Sequence, residues 1–383
     1  IRGCHNLGSL TGLDNLTSIG GDFTLQNCHN LYNLSGLHNL TSIEGDIIIY
    51  ANGSLTSLTG LDNLTAIGGD TRFESNVSLT SLTGLDNLTS IDGNLTIINN
   101  PQLCNCSVEW ICSILSDPNG TVLIYNNAEG CSSIIQLAVE CGTTLPCQEE
   151  GWYLLGSQFD VDHFPLVFPG CSDLECSVFI RGNDITNLNS LSLITSIRGD
   201  FTIEECDNLY SLTGLDNLTF IGGDVNIKYN DQLTSLTGLD NLTFIGGDVN
   251  IKYNDQLTSL TGLDNLTSID GNLTIINNPL LSNCSIEALC SILSDPNETA
   301  SIYNNAEGCS SIIQLAAGCG TTLPCKDEGL YSLYCQFDVD HFPVVYPGCS
   351  DLECGVIITG NNITNLDSLI TISSINGSLI ITG

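Results

Sequence analysis

Two stretches of the chain place carboxylates and an imidazole close enough together to suggest a cation site. They are Asp160-Val-Asp162-His163 and a later copy of it, Asp338-Val-Asp340-His341. Both run into Phe-Pro at the start of a short helix, where acidic side chains are favoured by the positive end of the helix dipole. A structural role is therefore expected at both. The five histidines are scattered, and no Ser-His-Asp or Cys-His set recurs at positions that would converge on a cleft. The recurring Gly-Gly pairs carry no lysine, so they do not read as phosphate-cradling loops. The expectation is a protein that is not an enzyme.

Other polar residues recur in register. Asp14, Asp62 and Asp86 share one repeat position, with His38 between them, and Asp22, Asp46 and Asp70 share another. Stacked at neighbouring strands, each like pair would repel by ~1 kcal/mol in water. Splaying into solvent relieves that, as would weakly held surface Ca²⁺; no other cofactor is expected. Eighteen Asn-x-Ser/Thr sequons occur. N-linked glycans are expected at Asn15, Asn39, Asn63, Asn87, Asn217, Asn241 and Asn265 within the repeat, and outside it at Asn105, Asn119, Asn283, Asn297 and Asn376.

Nineteen cysteines among so many sequons point to an oxidising, extracellular or cell-surface setting. Spacings close to one internal repeat predict bridges Cys106–Cys131, Cys112–Cys141 and Cys147–Cys171. The later copies of these pairs are Cys284–Cys309, Cys290–Cys319 and Cys325–Cys349. Cys4, Cys28, Cys104, Cys176, Cys206, Cys335 and Cys354 are left over. A ladder disulfide Cys4–Cys28 and a bridge Cys335–Cys354 are options, and Cys104, Cys176 and Cys206 are candidates for intermolecular locks.

The elements that position these residues follow from two nested periods. Leu10-Thr-Gly-Leu-Asp-Asn-Leu-Thr-Ser-Ile-Gly-Gly-Asp22 recurs at a constant step from Leu34, Leu58 and Leu82, and again from Leu188, Leu212, Leu236 and Leu260. A longer superrepeat maps Leu10 onto Leu188 and Leu188 onto Leu366. Residues 211–234 and 235–258 are identical. The apolar steps Leu10, Leu13, Leu16 and Ile19 fit neither a lasting helix nor a long strand, whereas Phe23-Thr-Leu25 alternates as a strand. Short strands joined by bends predict an all-β-dominated, right-handed parallel β-solenoid of 24-residue coils. Asn52, Asn76 and Asn100, with Asn230, Asn254 and Asn278, read as an inward asparagine ladder, with Cys4, Cys28 and Cys206 at the same position in the first coils. After each array, a helix from Ser107 to Leu115, a strand Val122–Tyr125 and a helix from Ser132 to about Glu140 form a disulfide-stapled helical cap. A further short helix is expected near Phe159–Phe164. Domains are placed at 1–147, 148–325 and 326–383.

The run Leu-Thr-Ser-Leu-Thr-Gly-Leu-Asp-Asn-Leu-Thr-Ser-Ile, with Cys106-Ser-Val-Glu-Trp-Ile-Cys112, Asn126-Asn-Ala-Glu-Gly-Cys131 and Phe168-Pro-Gly-Cys171, resembles the receptor L domains. These are the ligand-binding folds of growth-factor and insulin receptors, and the run is similar also to tandem repeats of Bacteroidetes-type surface proteins. The resemblance implies an L-domain-like solenoid and leaves function open. A leucine-rich-repeat horseshoe is the alternative fold, since leucine-rich repeats commonly have this period too.

With Lys plus Arg at 7 against 43 acidic residues and a net charge of −36, nucleic acid is excluded as a partner. No apolar run is long enough for a membrane span. Two roles remain: a building block of a glycosylated extracellular fibre or coat, or a surface adhesion and ligand-binding module. The near-identical repeats and a uniform Ser/Thr/Asn face without aromatic or arginine anchors favour the fibre. A third copy of the superrepeat breaks off soon after Leu366, and Ile1-Arg-Gly3-Cys4 is in phase with Ile381-Thr-Gly383. Head-to-tail self-association into filaments is therefore expected.

Overall fold

The three-residue apolar step is a chain of tight turns. In the repeat beginning at Leu34, Leu37 N–H donates to Leu34 O at 3.1 Å and Leu40 N–H to Leu37 O at 2.9 Å. Each turn returns a leucine to the inside, and Leu31, Leu34, Leu37 and Leu40 are wholly buried. A two-residue strand, Ser42–Ile43, and a four-residue strand, Ile47–Tyr50, complete the repeat. The longer strand buries Ile47 and Ile49 and turns Ile48 and Tyr50 outward, the alternation expected of a strand covered on one face. Gly238 shows why the Leu-Thr-Gly turn needs glycine. Its φ is +112°, and a Cβ there would overlap the carbonyl of Leu212 in the preceding repeat.

The computed structural model describes every residue except Asp117, Glu150, 294–299 and Gly383. They form two compact units, Ile1–Cys147 with His163–Gly170, and Gln148–Asp162 with Cys171–Gly383. In the first, the strands Phe23–Gln26, Ile47–Tyr50, Thr71–Glu74, Leu95–Ile98 and Val122–Tyr125 pair in that order, all parallel. The two-residue strands Ser18–Ile19, Ser42–Ile43, Ala66–Ile67 and Ser90–Ile91 make a second parallel sheet. The second unit repeats the plan with seven strands, Trp152–Leu155, Ser177–Arg181, Phe201–Glu204, Val225–Lys228, Val249–Lys252, Leu273–Ile276 and Ala300–Tyr303. Leu330–Leu333, Gly355–Thr359 and Leu379–Thr382 form a further three-stranded parallel sheet.

The asparagines form a buried ladder. Asn76 Oδ1 accepts from Asn52 N–H at 3.0 Å and Asn52 Nδ2 at 3.1 Å, while Asn76 Nδ2 donates to Ile49 O at 2.9 Å. Asn230, Asn254 and Asn278 do the same in the second unit. Each amide thus satisfies backbone groups that a bend would otherwise leave unpaired in the core. The ladder runs on into the cap through Asn127 and Asn305, which the sequence reading did not single out. Both follow a Val-Leu-Ile-Tyr or Ala-Ser-Ile-Tyr strand, and that position was the available signal. Cys28 and Cys206 begin the ladders: their N–H groups donate to Asn52 and Asn230 Oδ1. Burial raises both thiols, that of Cys206 to about 12. Cys206 is therefore an internal residue, not an intermolecular lock.

The helices are α1 Glu109–Ser116, α2 Ile134–Cys141, α3 Gln158–Val167, α4 Glu287–Ile292, α5 Ile312–Cys319 and α6 Gln336–Val345. Ser133, not Ser132, caps α2, because its extended backbone lets Oγ accept from Gln136 N–H; Ser311 does the same for α5. The helix expected over Phe159–Phe164 is longer, running through Pro165, which has no N–H to donate to the Val161 carbonyl and so interrupts the bonding of the last turns. Cys106–Cys131 and Cys112–Cys141 are bridged, as are Cys284–Cys309, Cys290–Cys319 and Cys325–Cys349. Cys147 and Cys171 are each disulfide-bonded too. Cys4 and Cys28 are separate thiols, and so are Cys335 and Cys354. Cys335 occupies the N-cap of α6, where Gln314 Nε2 lies 3.1 Å from its sulfur; Cys354 Sγ faces Lys326 O instead.

Candidate binding face

The chemistry-bearing residues singled out from the sequence serve mainly to hold the fold. Asp338 is fully buried at the start of α6, its Oδ2 accepting from Tyr334 N–H at 2.7 Å and its Oδ1 from the Ser311 hydroxyl at 2.5 Å. Burial raises its pKa despite these bonds. Asp160 Oδ2 likewise accepts from Gly156 N–H. The exposed Asp ladder is also tied to the backbone: Asp22 Oδ1 accepts from Asp46 N–H at 3.0 Å and Asp46 Oδ1 from Asp70 N–H at 2.8 Å. Asp14, Asp62 and Asp86 turn back to Gly12, Gly60 and Gly84 N–H two residues earlier. Among the described residues, no group of three or more His, Cys, Asp or Glu side chains is arranged to hold a metal ion.

The outer surface of the seven-stranded sheet is not the uniform Ser/Thr/Asn face that the repeat suggested. Register places Arg181, Glu204, Lys228, Lys252 and Ile276 in one column across five strands. The residue after each strand turns into the left-handed region, giving a second column of Glu205, Tyr229, Tyr253 and Asn277 with φ between 54° and 58°. Tyr229 and Tyr253 stack face to face, their ring centroids 4.8 Å apart at 5°, and remain 47% and 39% exposed. Beyond the tyrosines, Asp207, Asp231 and Asp255 form an acidic column. Partial desolvation, then Asp207 and Asp255, raise the Asp231 pKa.

The two basic parts of the face differ. Arg181 is spent: its Nη2 lies 2.6 Å from Glu205 Oε2 and its Nη1 3.6 Å from Glu204 Oε1. Lys228 and Lys252 make no ion pair among the described residues, so their charges remain available on a chain of net charge −36. The identical repeats also stack Phe220 on Phe244 on the second sheet, with centroids 5.1 Å apart.

Fold and face together define a module of stacked parallel strands, closed by disulfide-stapled helices and displaying a local aromatic and cationic stripe. The Receptor L domain family model matches residues 15–116 and 219–316, and the chain belongs to that family. No curated protein matches it. The second matched region holds the Lys228–Tyr229 and Lys252–Tyr253 pairs.

Proposed function

We propose that this chain is an extracellular, cell-surface binding module. In this reading it is an L-domain-like β-solenoid that engages a protein ligand through the face around Tyr229 and Tyr253, without catalysis. The observation that carries it is the exposed tyrosine stack at left-handed backbone. A β-carbon residue other than asparagine costs free energy there, of order 1 kcal/mol each. Two exposed tyrosines stacked on one another, beside lysines that make no ion pair among the described residues, support a surface kept for contact, because tyrosine is among the residues most enriched at binding anchors. The stripe is positive on one side and acidic on the other, at Asp231 and Asp255. That arrangement favours a polypeptide of mixed charge over a polyanion. The disulfides and the family support a surface location, and no helix among the described residues is long and apolar enough to cross a membrane.

The test is capture by the immobilised chain of proteins from the surface of its own source cells. Tyr229→Ala/Tyr253→Ala should abolish capture, and Tyr32→Ala/Tyr210→Ala, which alters exposed tyrosines elsewhere, should not. Equal capture by both variants would refute the reading. A second reading, a building block of a fibre or coat, is favoured by the recurrence of whole modules, coils and cysteine segment together. Electron microscopy of non-reduced native material distinguishes filaments from discrete particles.

A further inference from the structure

The sequons are not equivalent in the fold. Asn52 and Asn76 lie fully buried in the inner ladder. Asn39, Asn63, Asn87, Asn217, Asn241 and Asn265 are exposed, but each Nδ2 donates to a backbone carbonyl of the preceding repeat at 2.6–2.8 Å. Repeats stack at the strand spacing of about 4.8 Å, so sugars on successive asparagines would compete for the same space. Asn297 lies outside the described residues.

Asn283 differs from these, as do Asn33 and Asn105, whose Nδ2 groups likewise make no hydrogen bond among the described residues. Asn283 is exposed, its Oδ1 accepts from Ser285 N–H at 3.3 Å, and its Nδ2 makes no hydrogen bond among the described residues. It lines a groove of about 630 Å³ together with Ser285, Gly318, Phe337, His341 and Val344. Phe337 stacks on His341 with centroids 3.7 Å apart at 11°, and Val344 is 63% exposed on the same helix. Apolar surface of this kind in a concave site marks a place for a ligand. A sugar ring, with an apolar C–H face and a polar rim, matches a groove of aromatic floor and Ser/Asn edge.

We propose that Asn283 is N-glycosylated, that the first sugars of its glycan lie in the Phe337–His341–Val344 groove, and that the stacked repeat asparagines stay bare. In the transfer, Asn283 Nδ2 attacks the anomeric carbon of a pyrophosphate-linked oligosaccharide. The N–C bond forms as the C–O bond to pyrophosphate breaks. The pyrophosphate leaves with the electron pair, and one amide proton passes to a base of the transferase. The proposal shares with the binding reading only passage through a secretory route; it does not depend on any ligand at Tyr229.

The test is enzymatic deglycosylation in ¹⁸O water followed by peptide mapping of protein secreted by its own source. Asn283 should convert to labelled aspartate in most molecules, and Asn63 and Asn265 in few. Release from folded protein should be several-fold slower than from denatured protein, and Phe337→Ala should raise the folded-state rate without lowering occupancy. Absence of label at Asn283, equal label at Asn265, or a folded-state rate indifferent to Phe337→Ala would overturn the proposal. Capture through the tyrosine face is read separately, so failure of one leaves the other standing.

Discussion

The five-stranded sheet of the first unit and the seven-stranded sheet of the second share an inner design and differ outside. Both run on a buried asparagine ladder, Asn52–Asn76–Asn100 in one and Asn230–Asn254–Asn278 in the other. At the outer positions the first unit carries Gln26-Asn27, Tyr50-Ala51, Glu74-Ser75 and Ile98-Asn99, with no two neighbours alike. The second carries Lys-Tyr twice, at 228–229 and 252–253, in repeats identical throughout. The inner residues are dictated by the fold, since any repeat needs them to satisfy its neighbour. The outer ones are not: the left-handed position costs Ala51, Ser75 and Glu205 as it costs the tyrosines, and what sets the second unit apart is the exposed Tyr229–Tyr253 stack.

Breaking the shared part should have the largest effect. Asn76→Leu strands the N–H of Asn52 and the carbonyl of Ile49 in a wholly buried place, each worth about 1–3 kcal/mol. We expect a loss of roughly 4 kcal/mol or more by chemical denaturation, and Asn254→Leu should cost as much in the second unit. Removing one staple comes next: Cys112→Ser/Cys141→Ser should cost about 3–4 kcal/mol for its loop, and protease should then cut first near α1 and α2.

Two smaller changes sharpen the contrast between inner positions. Thr71 takes the place filled by Phe23, Ile47 and Leu95 on the strands around it, and its buried hydroxyl has no hydrogen-bond partner among the described residues. Thr71→Val should therefore stabilise the protein by about 1–2 kcal/mol, read as a higher denaturation midpoint. Asp338 makes a pH signature. Its carboxyl is raised by burial, so the folded state holds its proton more tightly than the unfolded one. Its contribution is fully present below the ordinary aspartate range and is lost as pH rises through the raised value. Stability measured across mildly acid pH should show this fall, and Asp338→Asn should flatten it.

Much of this was legible in the residues. The short repeat period, the strands Phe23–Gln26 and Val122–Tyr125, and the inward asparagines followed from apolar spacing, because each position answers to its neighbour in the next repeat. The face at Tyr229 was not legible. Lys228-Tyr229 is unremarkable in one dimension; register with Lys252-Tyr253 and the left-handed turn make it a stripe. Near-identity of repeats points toward a fibre when read along the chain, yet the identical pair is what departs from the rest. The sequon asparagines look alike for the same reason, since the carbonyl that each repeat amide meets belongs to the preceding repeat.

The proposed role of the exposed Tyr229–Tyr253 stack is contact with a ligand. Its most direct test is Tyr229→Asn/Tyr253→Asn, with stability and surface-protein capture measured on the same preparation. Asparagine suits left-handed backbone, so relief of strain should offset the lost ring stack, itself worth about 0.5–1.5 kcal/mol. The account predicts stability unchanged or raised by up to about 1 kcal/mol, with capture abolished. A variant that is clearly destabilised while capturing as well as the wild type would contradict it.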